Sequence, residues 1–153
     1  MAFGAFYAQD PTFTQFYSNP VYLNPALSGS SGCPRIALNY RNEWPQLTGN
    51  YITYAAAYDS YFKNISGGVG LVATHDMQGQ GTIQTSMIGA SYSYYLKVNR
   101  KFRLMFGTQA AYYQKFLDWS KLTFGDMIDP RRGFIYQTGD VPRGNGSRGF
   151  FDV

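Results

Sequence analysis

The chain has 153 residues and a net charge of +4; only 14% of its residues are charged, whereas 18% are aromatic. A disordered chain contains few aromatic residues, no apolar run reaches the about 20 residues of a transmembrane helix, and the cations form no dense stripe of the kind that binds nucleic acid. The 14 Tyr, 12 Phe and 17 Gly, set against 9 acidic residues, predict an all-β chain, either soluble or in a membrane.

Residues 1–8 are apolar and rich in small side chains, and they stop before a polar segment. They are similar to the end of a signal peptide without its charged start, so we expect a signal-peptide remnant and export of the chain. The alternative is an ordinary apolar N-terminus.

Residues 9–34 form an N-terminal segment punctuated by proline, with Asn-Pro at 19–20 and 24–25. Proline fixes its own φ and keeps the preceding residue out of the helical region, which predicts an extended arm with large apolar anchors. Such an arm should pack onto something, either as a periplasmic docking segment or plug, or as a seal that stabilises the domain. The candidate docking residues are Asp10, Pro11, Phe13, Phe16, Tyr17, Asn19, Pro20, Tyr22, Asn24 and Pro25.

From residue 35 the hydrophobic pattern has a period of two, which is the signal of half-buried strands. The predicted strands are 35–41, 51–59, 67–74, 82–98 and 102–114, and residues 150–153 begin a sixth. One face of each strand is apolar and often ends in an aromatic residue such as Tyr40 or Tyr58. The other face is small and polar with few charges. Aromatic girdles and so few charges favour a membrane barrel over a soluble sandwich.

The connections fit an up-and-down barrel whose arm starts in the periplasm. Residues 60–66 and 97–101 are short turns, whereas residues 43–50, 75–81 and the long, charged segment 117–148 would be outer loops. Asp129, Arg131 and Arg132 in the long loop are candidates for an outer-loop contact with another molecule. The alternative for them is a solvated loop with local ion pairs.

The sequence contains no convincing catalytic, metal or cofactor site. His75 and Asp76 lack the partners that a nucleophilic or zinc site requires, so we expect them in a polar loop between strands three and four. Cys33 is the only cysteine and can form no internal disulfide. The glycines at 67–70 lack the helix and lysine of a phosphate loop and predict a tightly packed strand.

Four stretches together resemble the PorP/SprF family. They are residues 9–29 (QDPTFTQFYSNPVYLNPALSG), 33–45 (CPRIALNYRNEWP), 54–59 (YAAAYD) and 128–134 (IDPRRGF). The resemblance implies a non-enzymatic outer-membrane β-barrel of the type IX secretion and gliding-motility machinery, which exports or anchors surface proteins. It also implies contact with outer-membrane lipid, with periplasmic ring or peptidoglycan-linked components, and with cargo that carries a C-terminal sorting domain. It implies no cofactor and no nucleic acid.

The number of strands is small for that family. The smallest outer-membrane barrels have about 8 strands, so we expect residues 35–153 to form an incomplete antiparallel up-and-down barrel, the N-terminal half of a longer protein. The alternative is a barrel assembled from two chains or several copies. The inner face would also suit a diffusion channel or small-molecule transporter of the outer membrane. A soluble barrel or an enzyme is a third alternative.

Overall fold

The fold is described from a computed structural model of the chain, which describes residues 13–46, 49–79, 81–99, 102–122, 127–129, 133–134 and 146–153. The predicted signal-peptide remnant, residues 1–8, lies outside the described residues. Within the described part of the chain, no helix has the length and apolar character required to cross a bilayer.

The arm is a series of short helical turns, so the prediction of an extended arm is wrong. A 3-10 turn, Phe16–Ser18, is followed by the short helix α1, Pro20–Leu23, and a second 3-10 turn, Pro25–Leu27. Asn19 and Asn24 explain the difference, because each side-chain oxygen accepts a hydrogen bond from a backbone N–H two or three residues later. Proline is favoured at the first helical position, so Asn-Pro starts a turn here.

Six antiparallel strands form one open up-and-down sheet. They are β1 (Arg35–Glu43), β2 (Tyr51–Phe62), β3 (Gly67–Gln78), β4 (Ile83–Lys97), β5 (Arg103–Leu117) and β8 (Gly146–Asp152), in the order β1-β2-β3-β4-β5-β8. A separate two-stranded hairpin is made of β6 (Ile128–Asp129) and β7 (Gly133–Phe134). The structure therefore confirms an all-β antiparallel meander that has not closed into a barrel.

Four strands, β1, β2, β3 and β5, continue two to four residues past their predicted ends, and the predicted outer loop 75–81 is only the connection 79–82. Two differences change a predicted loop most. His75 and Asp76 lie inside β3 and pair with both β2 and β4, so their placement in a loop is wrong. The last strand begins at Gly146, inside the predicted outer loop, and is paired with the end of β5. In both cases the strand extends beyond the residues that have a high strand propensity, because pairing with a neighbouring strand stabilises the β conformation there.

The register aligns the predicted apolar faces into a single surface, here called the outer face. Leu38, Ala56, Ala73, Ile88 and Tyr112 form one continuous cross-strand row on it. This face is largely exposed, and most of the exposed large apolar side chains of the sheet lie there. The opposite surface, here called the inner face, carries small residues and is covered by the arm.

Charge is segregated between the two faces. Within these six strands every Asp, Glu, Lys and Arg occupies an inner position, because each alternates with an outward-pointing residue. The residues are Arg35, Arg41, Glu43, Asp59, Asp76, Lys97, Arg103, Lys115, Arg148 and Asp152. The outer face of the described sheet therefore carries no Asp, Glu, Lys or Arg.

The buried core lies between the arm and the inner face. Val21 of α1 packs against a cluster in which Ala57, Val72, Met87 and Ala111 come from four neighbouring strands. Val21 of the arm thus fills the space that the small side chains of the sheet leave. The sheet is held to the arm by this cluster.

Met87→Ala should lower the free energy of unfolding by about 2–5 kcal/mol, because truncating a buried methionine leaves a cavity. Met87 is 6% exposed, whereas its neighbour Ile88 points outward and is 68% exposed. Ile88→Ala is therefore the matched control. Urea unfolding in detergent should show a larger loss for Met87→Ala than for Ile88→Ala. An equal loss would show that the arm-covered core does not stabilise the fold.

Candidate functional site on the arm-covered inner face

Ser28 is the point at which the arm is fixed to the sheet. The residue is completely buried. Its hydroxyl lies 2.7 Å from the Ser91 hydroxyl, and its carbonyl oxygen accepts hydrogen bonds from the hydroxyls of Ser93 (2.6 Å) and Tyr95. Three side chains of β4 therefore hold one residue of the arm, which satisfies polar groups that would otherwise be buried without partners.

The arm and the sheet meet backbone to backbone. A Cβ atom on Gly68 would overlap the Ser28 carbonyl, and one on Gly107 would overlap the backbone nitrogen of Ala26. Glycine is the residue that permits so close an approach of two chains. The prediction of a tightly packed strand at 67–70 is confirmed, and the partner it packs against is the arm.

Asp59 clamps the next residue of the arm. Its carboxylate accepts a hydrogen bond from the Gly29 N–H at 2.8 Å and forms a bidentate ion pair with Arg35, with both N–O distances at 2.9 Å. Asp59 is 2% exposed, and a charge at that depth is tolerated only when it is paired and hydrogen-bonded. The carboxylate thus joins β1, β2 and the arm.

The apolar side of the arm covers the middle of the inner face. Phe13 is buried and packs edge-to-face against Tyr22, with ring centroids 5.5 Å apart. Asn19 is buried beside them, and its amide nitrogen has no hydrogen-bond partner among the described residues. Asn39 of β1 donates to the hydroxyl of Ser18 at 2.9 Å. The contact between arm and sheet therefore extends from Ser18 to Gly29.

The predicted docking residues divide into two groups. Phe13 and Asn19 are buried, and Pro20, Tyr22 and Pro25 are half-buried against the sheet. Phe16 and Tyr17 are 55% and 65% exposed, with their rings 5.8 Å apart, and Asn24 is exposed at a helix cap. Asp10 and Pro11 lie outside the described residues. Phe16 and Tyr17 are therefore the aromatic side chains of the described arm that remain most accessible.

The outer-loop candidates are not brought together by the described structure. The backbone of Asp129 lies in β6, in the small hairpin. Arg131 and Arg132 lie outside the described residues. Contact between these residues and cargo stays a prediction.

Sequence reasoning missed the residues that fix the arm. Ser28, Asp59, Ser91 and Ser93 were not singled out, because a serine or an aspartate at an inner position looks like an ordinary polar residue. A signal was nonetheless present for Asp59: it and Arg35 are both charged, and both occupy the inner parity of their strands. Only the strand register shows that they are directly opposite.

The opposite end of the inner face has a second polar group around Asp76. The carboxylate of Asp76 is buried and accepts hydrogen bonds from the Thr53 hydroxyl at 2.6 Å and the Gln78 amide at 2.7 Å. His75 points outward, and its Nδ1 lies 2.9 Å from the Ser86 hydroxyl. Among the described residues no three metal-ligating side chains are grouped to hold an ion.

Comparison with protein families gives one match. The family model described as "Type IX secretion system membrane protein PorP/SprF" matches residues 5–145. The search of curated proteins returned no match, and neither did the search of solved structures. The match covers the arm and most of the sheet.

Asp59→Asn should lower the free energy of unfolding by about 3 kcal/mol, because breaking a buried ion pair leaves the Arg35 guanidinium without its counter-charge. Asp152→Asn is the control, since Asp152 is an exposed carboxylate on the same inner face. Urea unfolding gives the stability, and limited proteolysis reports release of the arm. If Asp59→Asn leaves both measurements at the level of Asp152→Asn, the carboxylate does not clamp the arm.

Proposed function

Because the chain belongs to the PorP/SprF family of type IX secretion system membrane proteins, we propose that it is a non-enzymatic outer-membrane β-barrel component of that system. In this role it exports or anchors surface proteins that carry a C-terminal sorting domain. A contribution to gliding motility is part of the same proposal.

The observation that carries the membrane part of the proposal is the outer face. It is broad and apolar, and it holds no Asp, Glu, Lys or Arg in the six described strands of the sheet. A soluble sheet exposes charge on the side that faces water, whereas a lipid-facing sheet excludes it. The absence of charge on the outer face therefore supports its contact with lipid.

The dimensions of the outer face also suit a bilayer. β2 and β3 have 12 residues and β4 and β5 have 15, more than the about 9–11 residues that a tilted membrane strand needs. Tyr54, whose ring contacts that of Tyr40, and Phe62 are about 27 Å apart along β2 at about 3.4 Å per residue. With the usual tilt of about 35–45°, this separation corresponds to a band about 20 Å high, close to the ~25 Å typical of such barrels.

The arm favours anchoring or protein export over free diffusion of solutes. It lies across the inner face and is fixed by buried contacts at Ser28 and Gly29. A wide diffusion pore keeps its lumen open to water, whereas plugged barrels fill it with a segment of protein. The packed arm therefore supports the first function and counts against a diffusion channel.

The proposed orientation follows from the lengths of the connections. The β2–β3 and β4–β5 connections at one end are short. At the other end the β3–β4 connection, residues 79–82, is equally short, whereas the β5–β8 connection, residues 118–145, is long. Short periplasmic turns and long outer loops are the usual asymmetry. The end of the sheet without the long β5–β8 connection, where the arm meets β4, then faces the periplasm and the ring or peptidoglycan-linked components of the system.

Ile88→Lys should impair membrane assembly, because a lysine facing lipid within the apolar band destabilises a barrel, by up to about 2–4 kcal/mol. Gln109→Lys is the matched control, since Gln109 lies on the inner face of the adjacent strand. The measurement is the fraction of full-length protein recovered folded from the outer membrane. Equal recovery of the two variants would mean that the outer face does not contact lipid.

Deleting the gene should release cargo with a type B sorting domain from the cell surface into the medium, and the wild-type gene should restore retention. Antibody labelling of intact cells measures the retained cargo. Liposome swelling with the purified full-length protein tests the channel alternative. Normal cargo retention in the deletion strain combined with high solute flux would overturn the proposed function.

A further inference from the structure

A basic cleft lies at the end of the sheet where the arm enters the inner face. The cleft has a volume of about 760 Å³ and is here called the rim cleft. Its cations are Lys63 in the β2–β3 connection, Lys97 at the end of β4 and Arg103 at the start of β5. All three side chains are exposed, and none belongs to the arm contacts described above.

Two of these cations face each other directly. Lys97 and Arg103 are partners in the β4–β5 register, so they stand side by side on the inner face. Like charges directly opposite one another destabilise a sheet. Neither residue, nor Lys63, forms an ion pair with a carboxylate among the described residues. The cleft therefore presents positive charge that an anionic partner would neutralise.

The nearest buried carboxylate does not neutralise the cleft. Asp59 is already engaged by Arg35 and by the backbone of Gly29. No acidic residue lines the cleft in the described structure. The positive charge of the rim is thus open to a ligand from outside the fold.

The rest of the cleft suits a polypeptide. Tyr61 and Tyr95 form an aromatic pair on its wall, with ring centroids 5.7 Å apart. Gly29, Ser30 and Gly32 of the arm line the other side, and their backbone N–H groups are already hydrogen-bonded within the fold. Cations and aromatic rings together match an acidic segment that also carries apolar side chains.

The face on which the cations lie favours a polypeptide over lipid headgroups as the ligand of the cleft. Lys97 and Arg103 share the inner face with Ser93 and do not lie on the apolar outer face that would contact lipid. We propose that the rim cleft binds an acidic segment of a periplasmic protein partner. This inference deepens the proposed function and rests on its orientation, in which this end of the sheet faces the periplasm.

The test measures binding of a glutamate-rich synthetic peptide with one phenylalanine to the full-length protein in detergent. A fluorophore on Cys33, the only cysteine and an exposed one close to the cleft, reports binding. The double variant Lys97→Gln/Arg103→Gln should weaken binding roughly tenfold, since it removes two exposed ion pairs with the peptide, each of which is weak on its own. High salt should weaken wild-type binding in the same direction.

The control is the double variant Lys115→Gln/Arg148→Gln. These two cations are also directly opposite, exposed and on the inner face, but they lie at the other end of the sheet. The control removes the same charge and should change the affinity less than twofold. An equal loss in both variants would show unspecific attraction to net charge and would overturn the proposal.

Two further outcomes would also overturn it. One is wild-type affinity for the peptide no higher than for its glutamine-substituted counterpart. The other is loss of binding to phosphatidylglycerol vesicles in the Lys97→Gln/Arg103→Gln variant with unchanged peptide affinity, which would make lipid headgroups the ligand. Peptide binding is measured on purified protein, so it can succeed even where the cargo-retention experiment fails, and the two proposals are separable.

Discussion

The close approach of the arm to the inner face is the constraint on which the rest of the structure depends. Ser28 lies directly on Gly68, and Ala26 lies on Gly107, with no space for a Cβ atom at either glycine. This contact requires small side chains on the inner face, and a face of small side chains is buried only when another segment packs on it. The arm supplies that segment, and Val21 fills the centre of the contact.

The charge distribution follows from the same arrangement. With the arm on the inner face, polar groups there find partners, as Asp59 does with Arg35 and Gly29. The outer face carries no Asp, Glu, Lys or Arg in the strands of the described sheet. The result is a sheet whose covered side is small and polar and whose exposed side is apolar, the reverse of a soluble sheet and the expected arrangement for a sheet in lipid.

The buried and the exposed charges of the inner face differ in how they are satisfied. Around Asp59 and Asp76 the buried carboxylates are held by hydrogen bonds and, for Asp59, by an ion pair. At the rim cleft, Lys97 and Arg103 stand opposite each other without a described carboxylate partner. The buried carboxylates therefore stabilise the fold, whereas the exposed cations are available for recognition of a partner.

The sequence by itself determined the strands and the two faces, because a period of two is a local property that each strand displays without its neighbours. It also carried the family resemblance, which the family match confirms. Only the tertiary structure decided that the arm folds into helical turns, that Ser28 and Asp59 fix it, and that His75 and Asp76 belong to β3. These features depend on register and on contacts between residues distant in sequence, such as Ser28 with Ser91, which no local pattern encodes.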